Sequence, residues 1–291
     1  MADWIDNFLQ TERLPAGYRH TIDNALLPLA SAITQRARLS DHMVTVGLCG
    51  AQGSGKSTAA AALVELLARG DLPAAALSID DFYLPRAERA ALARDVHPLL
   101  ATRGVPGTHD VELAQATIDS LAGDEPVLLP VFDKARDDRL PRREWRTATG
   151  PLRVVILEGW CVGALPEPPG DLATPVNALE RQEDPDGRWR TYVNDSLAGP
   201  YRPLFDRLSP LVLLEAPSFQ VVQGWRTQQE QKLRARLEAQ GADTSRVMDD
   251  AAISRFIAHY ERVTRHILAE MPHRADHLIR LSTSRTARWL R

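Results

Sequence analysis

Residues 50 to 57 of this 291-residue chain have the types and spacing that bind the phosphates of a nucleotide. They read Gly50-Ala51-Gln52-Gly53-Ser54-Gly55-Lys56-Ser57, which fits the phosphate-loop pattern G-x-x-x-x-G-K-[ST]. Glycines let backbone N–H groups close around phosphate oxygens, and the dipole of a following helix adds positive potential. We expect Lys56 to reach the β- and γ-phosphates, Ser57 to hold Mg²⁺ through its hydroxyl, and Thr58 to complete the nucleotide-binding set.

The segments on either side of the loop have the composition that this chemistry requires. Val44–Cys49 is short, apolar and rich in β-formers, as expected of a buried parallel strand in which Cys49 packs as a small apolar residue. Residues 58–69 are dense in Ala, Leu and Glu, and Gly70 follows where a helix-ending glycine belongs. Strand, glycine loop and helix N-terminus therefore come in the required order.

Acidic residues end two further predicted strands. The second strand runs into SIDDFYLP (78–85), and ligands of parallel sheets bind beyond the carboxyl ends of strands. Asp80 is interpreted as a base for an acceptor hydroxyl, with Asp81 and Tyr83 beside it in the acceptor site; helix capping or solvation is the alternative for the two aspartates. Glu158 follows an apolar strand where an uncompensated carboxylate is costly to bury, so we expect it to contact Mg²⁺ directly or through water.

Two polar loops supply candidate contacts for the acceptor. TRGVPGTHD (102–110) contains Arg103 and His109, which an anionic acceptor would need, and Asp110, which is suited to capping the helix that follows. Each of the first two residues has acceptor contact and an ordinary loop role as open alternatives. The loop PVFDKARDDR adds Asp133, Lys134 and Arg139, a mixed-charge set beyond the third predicted strand for which a solvated surface ion pair is one interpretation.

Two long helical stretches follow towards the C-terminal part of the sequence. Residues 218–240 are predicted to form one helix, in which Glu230 and Arg234 are spaced to pair. Arg226 lies near the start of that helix and is interpreted as a lid arginine that stabilises the transferred phosphoryl group, the alternative being an ordinary charged face. On the next helix a stripe of basic-type side chains either approaches phosphates or faces solvent: Arg255, His259, Arg262 and His266.

Composition restricts the classes of function. A formal net charge of -3 argues against nucleic-acid binding that depends on neutralising backbone phosphates. Two cysteines without metal-type spacing indicate no disulfide framework and suit a reducing compartment. No apolar run approaches membrane-spanning length, and the first residues lack the features of a secretory signal, so no membrane association is expected and the cytoplasm is the predicted location.

Predicted strands alternate with helical stretches along most of the chain. The strands are Val44–Cys49, Ala74–Ile79, Val127–Leu129, Val154–Leu157, Leu211–Leu214 and His277–Leu281. This alternation predicts an α/β fold with a mostly parallel sheet covered by helices on both faces. We expect a single domain over 1–291, with an N-terminal helical extension (1–40) packed outside the core. Residues 161–195, rich in Pro, Asp and Gly, are predicted to be an irregular insertion on the rim.

Several motifs beyond the loop occur together in one order: SIDDFYLP, RGVPGTHDVEL, LPVFDKARDDRLP, VVILEGW, VQGWRTQQE and FIAHYERVTR. In this combination the chain resembles the plant-type D-glycerate 3-kinase family and, more distantly, uridine kinase, phosphoribulokinase and pantothenate kinase. The resemblance covers nearly the whole chain. It implies a P-loop kinase with ATP and Mg²⁺ as cofactors, in which Asp80 is the base towards the acceptor hydroxyl and Glu158, of the Glu158-Gly159 pair, binds Mg²⁺. It also implies that the loop with Asp133, Lys134 and Arg139 lines the acceptor side, which leaves that role and a surface ion pair equally open for each of the three.

The expected activity is therefore ATP-dependent phosphorylation of a hydroxyl on a small organic acid, most simply D-glycerate to 3-phosphoglycerate. Another small metabolite, such as a nucleoside or a pantothenate-like compound, is the first alternative as acceptor. An ATPase that uses water is the second, and a nucleotide-binding sensor without turnover is the third. A small molecule is the expected partner, and the sequence leaves monomer and homodimer undecided.

Overall fold

The computed structural model describes residues 2–239 and 248–291. Its strands are β1 (Val44–Gly50), β2 (Ala74–Ser78), β3 (Val127–Leu129), β4 (Phe132–Asp133), β5 (Asp138–Arg139), β6 (Arg146–Ala148), β7 (Val154–Gly159), β8 (Leu211–Glu215), β9 (His277–Leu281) and β10 (Ala287–Trp289). In the described part of the chain the main sheet has the order β10-β9-β8-β1-β7-β2. Neighbours from β9 to β2 pair in parallel, and β10 pairs antiparallel with β9. The predicted mostly parallel sheet is confirmed.

Helices cover both faces of this sheet. They are α1 (Ala2–Thr11), α2 (Tyr18–Thr21), α3 (Leu27–Leu39), α4 (Lys56–Ala68), α5 (Arg86–Asp95), α6 (Val111–Ser120), α7 (Ala178–Glu183), α8 (Arg188–Ala198), α9 (Arg202–Phe205), α10 (Phe219–Ala239) and α11 (Asp250–Arg274). A π-helical turn, Ile22–Leu26, joins α2 to α3. Within residues 2–239 and 248–291, no helix combines the length and apolar character needed to cross a bilayer.

The central strands are buried on both faces, so their side chains alternate between two apolar clusters. In β7, Val155 and Leu157 belong to one cluster, whereas Val154 and Ile156 belong to the other. Successive side chains of a strand point to opposite faces, which produces this division. Cys49 is fully buried in the first cluster, where burial raises the pKa of its thiol to about 12. It packs as the small apolar residue that the sequence predicted.

The N-terminal helices are part of the core, not a layer outside it. Ile22, Leu29 and Ile33 are fully buried in the same cluster as Val46 of β1 and Val212 of β8. The apolar spacing of this segment indicated helices correctly, but their place outside the core was predicted wrongly. The apolar face of these helices has to be buried, and it is buried against one face of the sheet.

The predicted strand Val127–Leu129 does not join the parallel sheet. It pairs antiparallel with β6 in a separate two-stranded sheet, and β4 and β5 form a second small hairpin. A short apolar run indicates a strand but contains no information about its partner. The turn between β4 and β5 brings Lys134 to Asp80, just after the carboxyl end of β2.

Residues 161–195 are not an irregular rim segment throughout. Their second half contains α7 and most of α8, and Leu179, Trp189 and Val193 are buried in the apolar cluster on one face of the sheet. Asn177 caps α7 by accepting from the amide of Glu180. Proline and glycine concentrate before and between these helices, so composition averaged over the whole stretch concealed them. The division of the chain into domains stays a prediction.

The basic stripe of α11 docks against this segment. Arg262, 5% exposed, donates to both carboxylate oxygens of the fully buried Glu180, at 2.8 and 2.7 Å, and lies 3.2 Å from Glu167. Arg255 pairs with Glu183, and His259 is buried with its Nδ1 3.0 Å from the carbonyl oxygen of Arg255. Neither alternative considered for the stripe, phosphate contact or a solvated face, describes the buried Arg262 and His259, whereas the exposed Arg255 lies on a solvated face.

We expect Glu180→Gln to destabilise the protein by about 3–5 kcal/mol, because it leaves the Arg262 guanidinium buried without its main counter-charge. Asp206→Asn removes one partner of the exposed Arg202–Asp206 pair and serves as the control, with an expected change of less than about 1 kcal/mol. Urea unfolding at pH 7 measures both values. A loss in Glu180→Gln no larger than in the control would contradict the assigned importance of the buried pair.

Candidate active site

The phosphate loop joins the end of β1 to the start of α4. Gly53 and Gly55 have φ angles of 76° and 86°, a region that favours glycine. A Cβ at Gly53 would also lie 2.9 Å from the Cβ of Trp225, so both backbone angle and space require glycine there. The amide of Ser54 donates to the carbonyl of Ala51 at 3.1 Å, which closes the loop over the N-terminus of α4. The predicted nucleotide-binding residues 50–58 therefore form one continuous cradle.

Ser57 and Glu158 meet beside this loop. Leu48 of β1 lies opposite Glu158 of β7 in the parallel register, and Ser57 Oγ donates to Glu158 Oε1 at 2.7 Å. Glu158 is 4% exposed, and within the described residues its Oε2 has no hydrogen-bond partner. A buried carboxylate oxygen without a partner is costly unless a cation compensates it. The hydroxyl and carboxylate are hard oxygen ligands of the kind Mg²⁺ prefers, so the residues fit the predicted metal.

Asp80 lies at the carboxyl end of β2 in a short 3₁₀ turn, Ile79–Phe82. Tyr83 donates its hydroxyl to Asp80 Oδ1 at 2.7 Å, and the Lys134 ammonium donates to Oδ2 at 2.6 Å. Burial alone would raise the pKa of this carboxyl, but Lys134 and Lys56 outweigh it and hold the pKa at about 2. Asp80 is therefore ionised across the whole physiological range.

A cleft of about 260 Å³ connects the phosphate loop with Asp80. Its lining residues in the described chain are Gln52, Gly53, Lys56, Ser57, Ser78, Asp80, Tyr83, Arg103, Lys134, Trp160, Arg226, Gln229, Phe256 and Tyr260. Four of these side chains are cationic, and Asp80 alone among them is acidic. The excess of positive charge, enclosed by aromatic walls, suits anionic groups.

Arg103 is positioned at the acceptor side of the cleft by a rigid loop. Trp160 donates its indole N–H to the carbonyl of Gly104 at 2.8 Å, and the Tyr260 hydroxyl donates to the carbonyl of Arg103 at 3.1 Å. Gly104 has a φ of 127°, and a Cβ there would lie 2.1 Å from the Tyr260 hydroxyl oxygen. The guanidinium of Arg103 packs over the Phe132 ring at 5.5 Å. The backbone of Arg103 is thus fixed by Trp160 and Tyr260, and its side chain packs on an aromatic face.

Comparison with known proteins agrees with this geometry. The chain is 36% identical over 230 residues to mug58 of Schizosaccharomyces pombe, described as an uncharacterized kinase, covering 74% of this chain and 77% of that protein. It is 29% identical to the chloroplastic D-glycerate 3-kinase of Arabidopsis thaliana, covering 80% of this chain but only half the length of the plant protein. The chain belongs to the D-glycerate 3-kinase family of P-loop kinases.

A solved structure supports the fold of this kinase. The D-glycerate 3-kinase of Cryptococcus neoformans var. grubii superposes with a TM-score of 0.74, covering 95% of this chain and all of the other at 24% identity. No family model matches the chain. The predicted P-loop kinase fold is confirmed, and the relatives establish a kinase.

His109 of the kinase does not line the cleft. It is 4% exposed, stacks on Tyr83 with ring centroids 4.7 Å apart, and places Nδ1 2.6 Å from the Tyr201 hydroxyl. That hydroxyl already accepts from the amides of Gly107 and His109, so it donates to Nδ1, and the ring is a neutral Nε2–H tautomer. Burial lowers the pKa of His109 to about 4. The structure therefore does not support His109 as a cation for the acceptor.

Asp81 and Asp133 also lie away from the cleft lining. Asp81 accepts from the amide of Phe132 at 3.3 Å and lies 3.4 Å from Arg146, which ties β2 to the small hairpins. Asp133 accepts from the amides of Ala135 and Arg136 and shapes the turn that presents Lys134. Both hold nearby backbone segments in place, and neither lines the cleft. Asp110 caps α6 by accepting from the amide of Leu113, as predicted.

Arg226 reaches the cleft from the second turn of α10. Its guanidinium pairs with Glu230, donates to Gln229 Oε1 at 3.0 Å and packs over the Phe256 ring at 5.3 Å. The predicted Glu230–Arg234 pair is wrong, because Glu230 turns to Arg226 while Arg234 donates to the carbonyl of Met248. Helix α10 ends its described part at Ala239, so Gln240 of the predicted lid helix lies outside the described residues.

The sequence did not show that several further residues belong to the cleft. Lys134 was left undecided between acceptor side and surface, yet it forms an ion pair with Asp80. Phe256 and Tyr260 were given no role in the site, and both line the cleft. Their signal was present in the motifs LPVFDKARDDRLP and FIAHYERVTR, but the contacts join residues 54 and 157 positions apart. Spacing within one motif does not show such contacts.

The neutral His109 predicts a defined pH dependence of stability. Its folded pKa, about 4, lies below the ordinary value near 6.5, so the unfolded chain takes up the proton first as pH falls. Stability is therefore lost between about pH 6.5 and pH 4, by up to about 3 kcal/mol from this group. His109→Asn keeps an atom near Nδ1 for Tyr201 but does not titrate. Urea unfolding of both proteins at pH 7 and pH 4.5 should show a smaller decrease in the variant; equal decreases would contradict the assignment.

Proposed function

We propose that this kinase transfers the γ-phosphate of ATP to a hydroxyl of a small hydroxy acid, with D-glycerate as the first candidate and 3-phosphoglycerate as its product. The observation that supports this best is the placement of Asp80 in a small cleft whose other charged lining residues are Lys56, Arg103, Lys134 and Arg226. One carboxylate can orient a hydroxyl, and the surplus cations match the phosphoryl group and a carboxylate on the acceptor. The family contains a D-glycerate 3-kinase, which makes that hydroxy acid the compound to test first.

The size and charge of the cleft favour a small anion over a nucleoside as acceptor. At about 260 Å³ it lies below the roughly 300–1,000 Å³ of pockets that enclose drug-sized molecules. A nucleoside is neutral and would leave Arg103 and Lys134 without an added anion. A three-carbon hydroxy acid supplies both a reactive hydroxyl and a carboxylate within a short span.

The existing ion pairs allow Arg103 to turn to an acceptor carboxylate. Arg103 now pairs with Asp137, which is also held by Arg89 at 3.0 Å. Arg89 is 1% exposed, and its other N–H groups donate to the carbonyls of Leu84 and Ala101. If Arg103 leaves, Asp137 therefore keeps a buried counter-charge. Lys134 is 60% exposed and can bridge Asp80 and an acceptor carboxylate without being desolvated.

In the proposed mechanism Asp80 mainly orients the acceptor. A carboxylate with a pKa of about 2 is a weak base, so early proton removal is not its main contribution. Phosphoryl transfer passes through a loose transition state in which the nucleophile needs alignment more than activation, and the proton passes to Asp80 as the new P–O bond forms. Tyr83 and Lys134 hold both carboxylate oxygens and thereby fix the direction of the accepting lone pair.

Charge neutralisation comes from the phosphate loop and the lid helix. Lys56 would reach the β- and γ-phosphates, and Arg226, held by Glu230 and Phe256, lines the same cleft. Mg²⁺, held by Ser57 and Glu158, supplies positive charge to the phosphate oxygens when it is bound. Trp160, Tyr260 and Phe256 surround the reacting groups with apolar surface, which restricts competing water.

The acceptor is tested by incubating the protein with ATP, Mg²⁺ and single candidates while ADP is measured. We expect D-glycerate to raise ADP formation well above the rate without acceptor, and Asp80→Asn to lower the maximal rate by about 100-fold or more with little change in ATP binding. Asp81→Asn is the matched control, because Asp81 lies outside the cleft and Asn keeps its acceptor for Phe132. Turnover that is independent of acceptor would indicate an ATPase. Phosphorylation of a nucleoside or a vitamin precursor alone would contradict the hydroxy-acid proposal.

The carboxylate contacts are tested by separating effects on the two substrates. Arg103→Ala and Lys134→Met should each raise the KM for the hydroxy acid by about 10-fold or more, since each removes a charge-assisted contact, while changing the KM for ATP little. Arg136→Ala removes a nearby exposed cation of the same loop and serves as the control. Equal increases in the KM for the hydroxy acid and the KM for ATP would contradict a specific contact with the acceptor carboxylate. They would indicate that these residues only add positive charge to the cleft as a whole.

A further inference from the structure

The turn between β9 and β10 brings an arginine from near the end of the chain to the phosphate loop. Arg285 donates from Nε to the carbonyl oxygen of Gly53 at 2.7 Å, joining residues 232 positions apart. No sequence motif pointed to Arg285, and the proposed phosphotransfer does not use it. Among the described salt bridges none includes Arg285, so its charge has no carboxylate partner there.

The backbone of this turn is set to deliver that side chain. Arg285 has a φ of 65°, which is uncommon for a residue other than glycine. The turn is closed by hydrogen bonds from the amide of Ser282 to the carbonyl of Thr286 and from the amide of Arg285 to the carbonyl of Ser282, both 2.9 Å. The Ser282 hydroxyl also accepts from the amide of Thr286 at 3.0 Å. Uncommon backbone conformations that the surrounding structure holds in place cluster at functional sites.

Trp225 of α10 locks the guanidinium in place. Arg285 packs over the indole ring at 5.1 Å, and the indole N–H donates to the carbonyl of Thr283 in the same turn at 2.8 Å. Trp225 is 1% exposed and also contacts the position of Gly53. Gln228 accepts from Arg285 Nη2 at 3.3 Å. The turn, the lid helix and the phosphate loop therefore meet at one guanidinium.

The peptide unit between Gly53 and Ser54 is held at both ends. Its carbonyl oxygen accepts from Arg285, and its N–H donates to Ala51 at 3.1 Å. Because the peptide is planar, these two bonds fix the plane of the unit that leads into Gly55 and Lys56. The phosphate-binding orientation of the next amides depends on that plane.

Arg285 also borders the space beside the loop where a nucleotide would extend. It lines a cavity of about 710 Å³ together with Gly53, Ser57 and Thr58, and within the described chain no Asp or Glu lines that cavity. A guanidinium has five N–H donors, and the two hydrogen bonds above use two of them. The remaining donors are available to phosphate oxygens.

We propose that Arg285 is a positioning residue of the nucleotide site: it holds the phosphate loop in its binding conformation before the nucleotide arrives and donates to the phosphate groups once they are bound. The proposal rests on ATP binding at the loop and is independent of the acceptor, so failure of D-glycerate as substrate would leave it intact.

Binding of ATP, ADP, tripolyphosphate and adenosine to Arg285→Ala and Arg285→Lys, measured by calorimetry without acceptor, tests the proposal. We expect Arg285→Ala to weaken ATP, ADP and tripolyphosphate binding by about 10- to 100-fold and to leave adenosine binding nearly unchanged. Arg285→Lys should recover only part of the loss, because an ammonium cannot form the same fork of hydrogen bonds. Arg288→Ala, at an exposed position of the same hairpin, should behave like the unaltered protein.

Hydrogen exchange of the nucleotide-free proteins supplies the second measurement. Amides of residues 51–56 should exchange faster in Arg285→Ala than in Arg288→Ala if the loop is preformed by Arg285. Unchanged tripolyphosphate affinity, an equal loss for adenosine, full recovery with lysine, or unchanged exchange of the loop would each overturn the proposal. Arg285→Lys keeps the test decisive if Arg285→Ala does not fold.

Discussion

The site depends on the parallel pairing of β1 with β7. This pairing places the carboxylate that ends one strand next to the glycine loop that ends the other, and Ser57 reaches Glu158 across the gap. A buried acid in that position has to be compensated by positive charge. The glycine loop, the N-terminus of α4 and Lys56 provide positive potential on one side only. The fold thus concentrates charge of both signs at one edge of a sheet whose interior is apolar.

Charge compensation also explains how the acceptor side is organised. Each anion of this region has two cationic or donor partners: Asp80 has Lys134 and Tyr83, and Asp137 has Arg89 and Arg103. A site built with such redundancy can release one cation to a substrate without leaving a bare buried charge. The cations are therefore paired in the free protein, and one of them can still turn to a bound anion.

The sequence predicted local features well and long-range contacts poorly. The phosphate loop, its flanking strand and helix, and the cap at Asp110 are defined by neighbouring residues, so spacing alone was sufficient. The partner of Val127–Leu129 and the docking of Arg262 onto Glu180 depend on residues far along the chain, and periodicity contains nothing about them. His109 shows the same limit, since its tautomer is set by the hydroxyl of Tyr201, 92 positions away.

The contact of Trp225 with the phosphate loop has a consequence for motion. Arg226 follows directly after a residue whose ring is held by Thr283 and whose Cβ abuts Gly53. The start of α10 is therefore anchored to the phosphate loop. A swing of the whole helix would have to break the contacts of Trp225 with Gly53 and Thr283. Any opening would instead bend α10 beyond this anchor, so that Arg226 stays beside the phosphate loop while the part of α10 after it moves. Arg226 would then form a fixed wall of the cleft. The moving part of α10 would control only the entry of the acceptor.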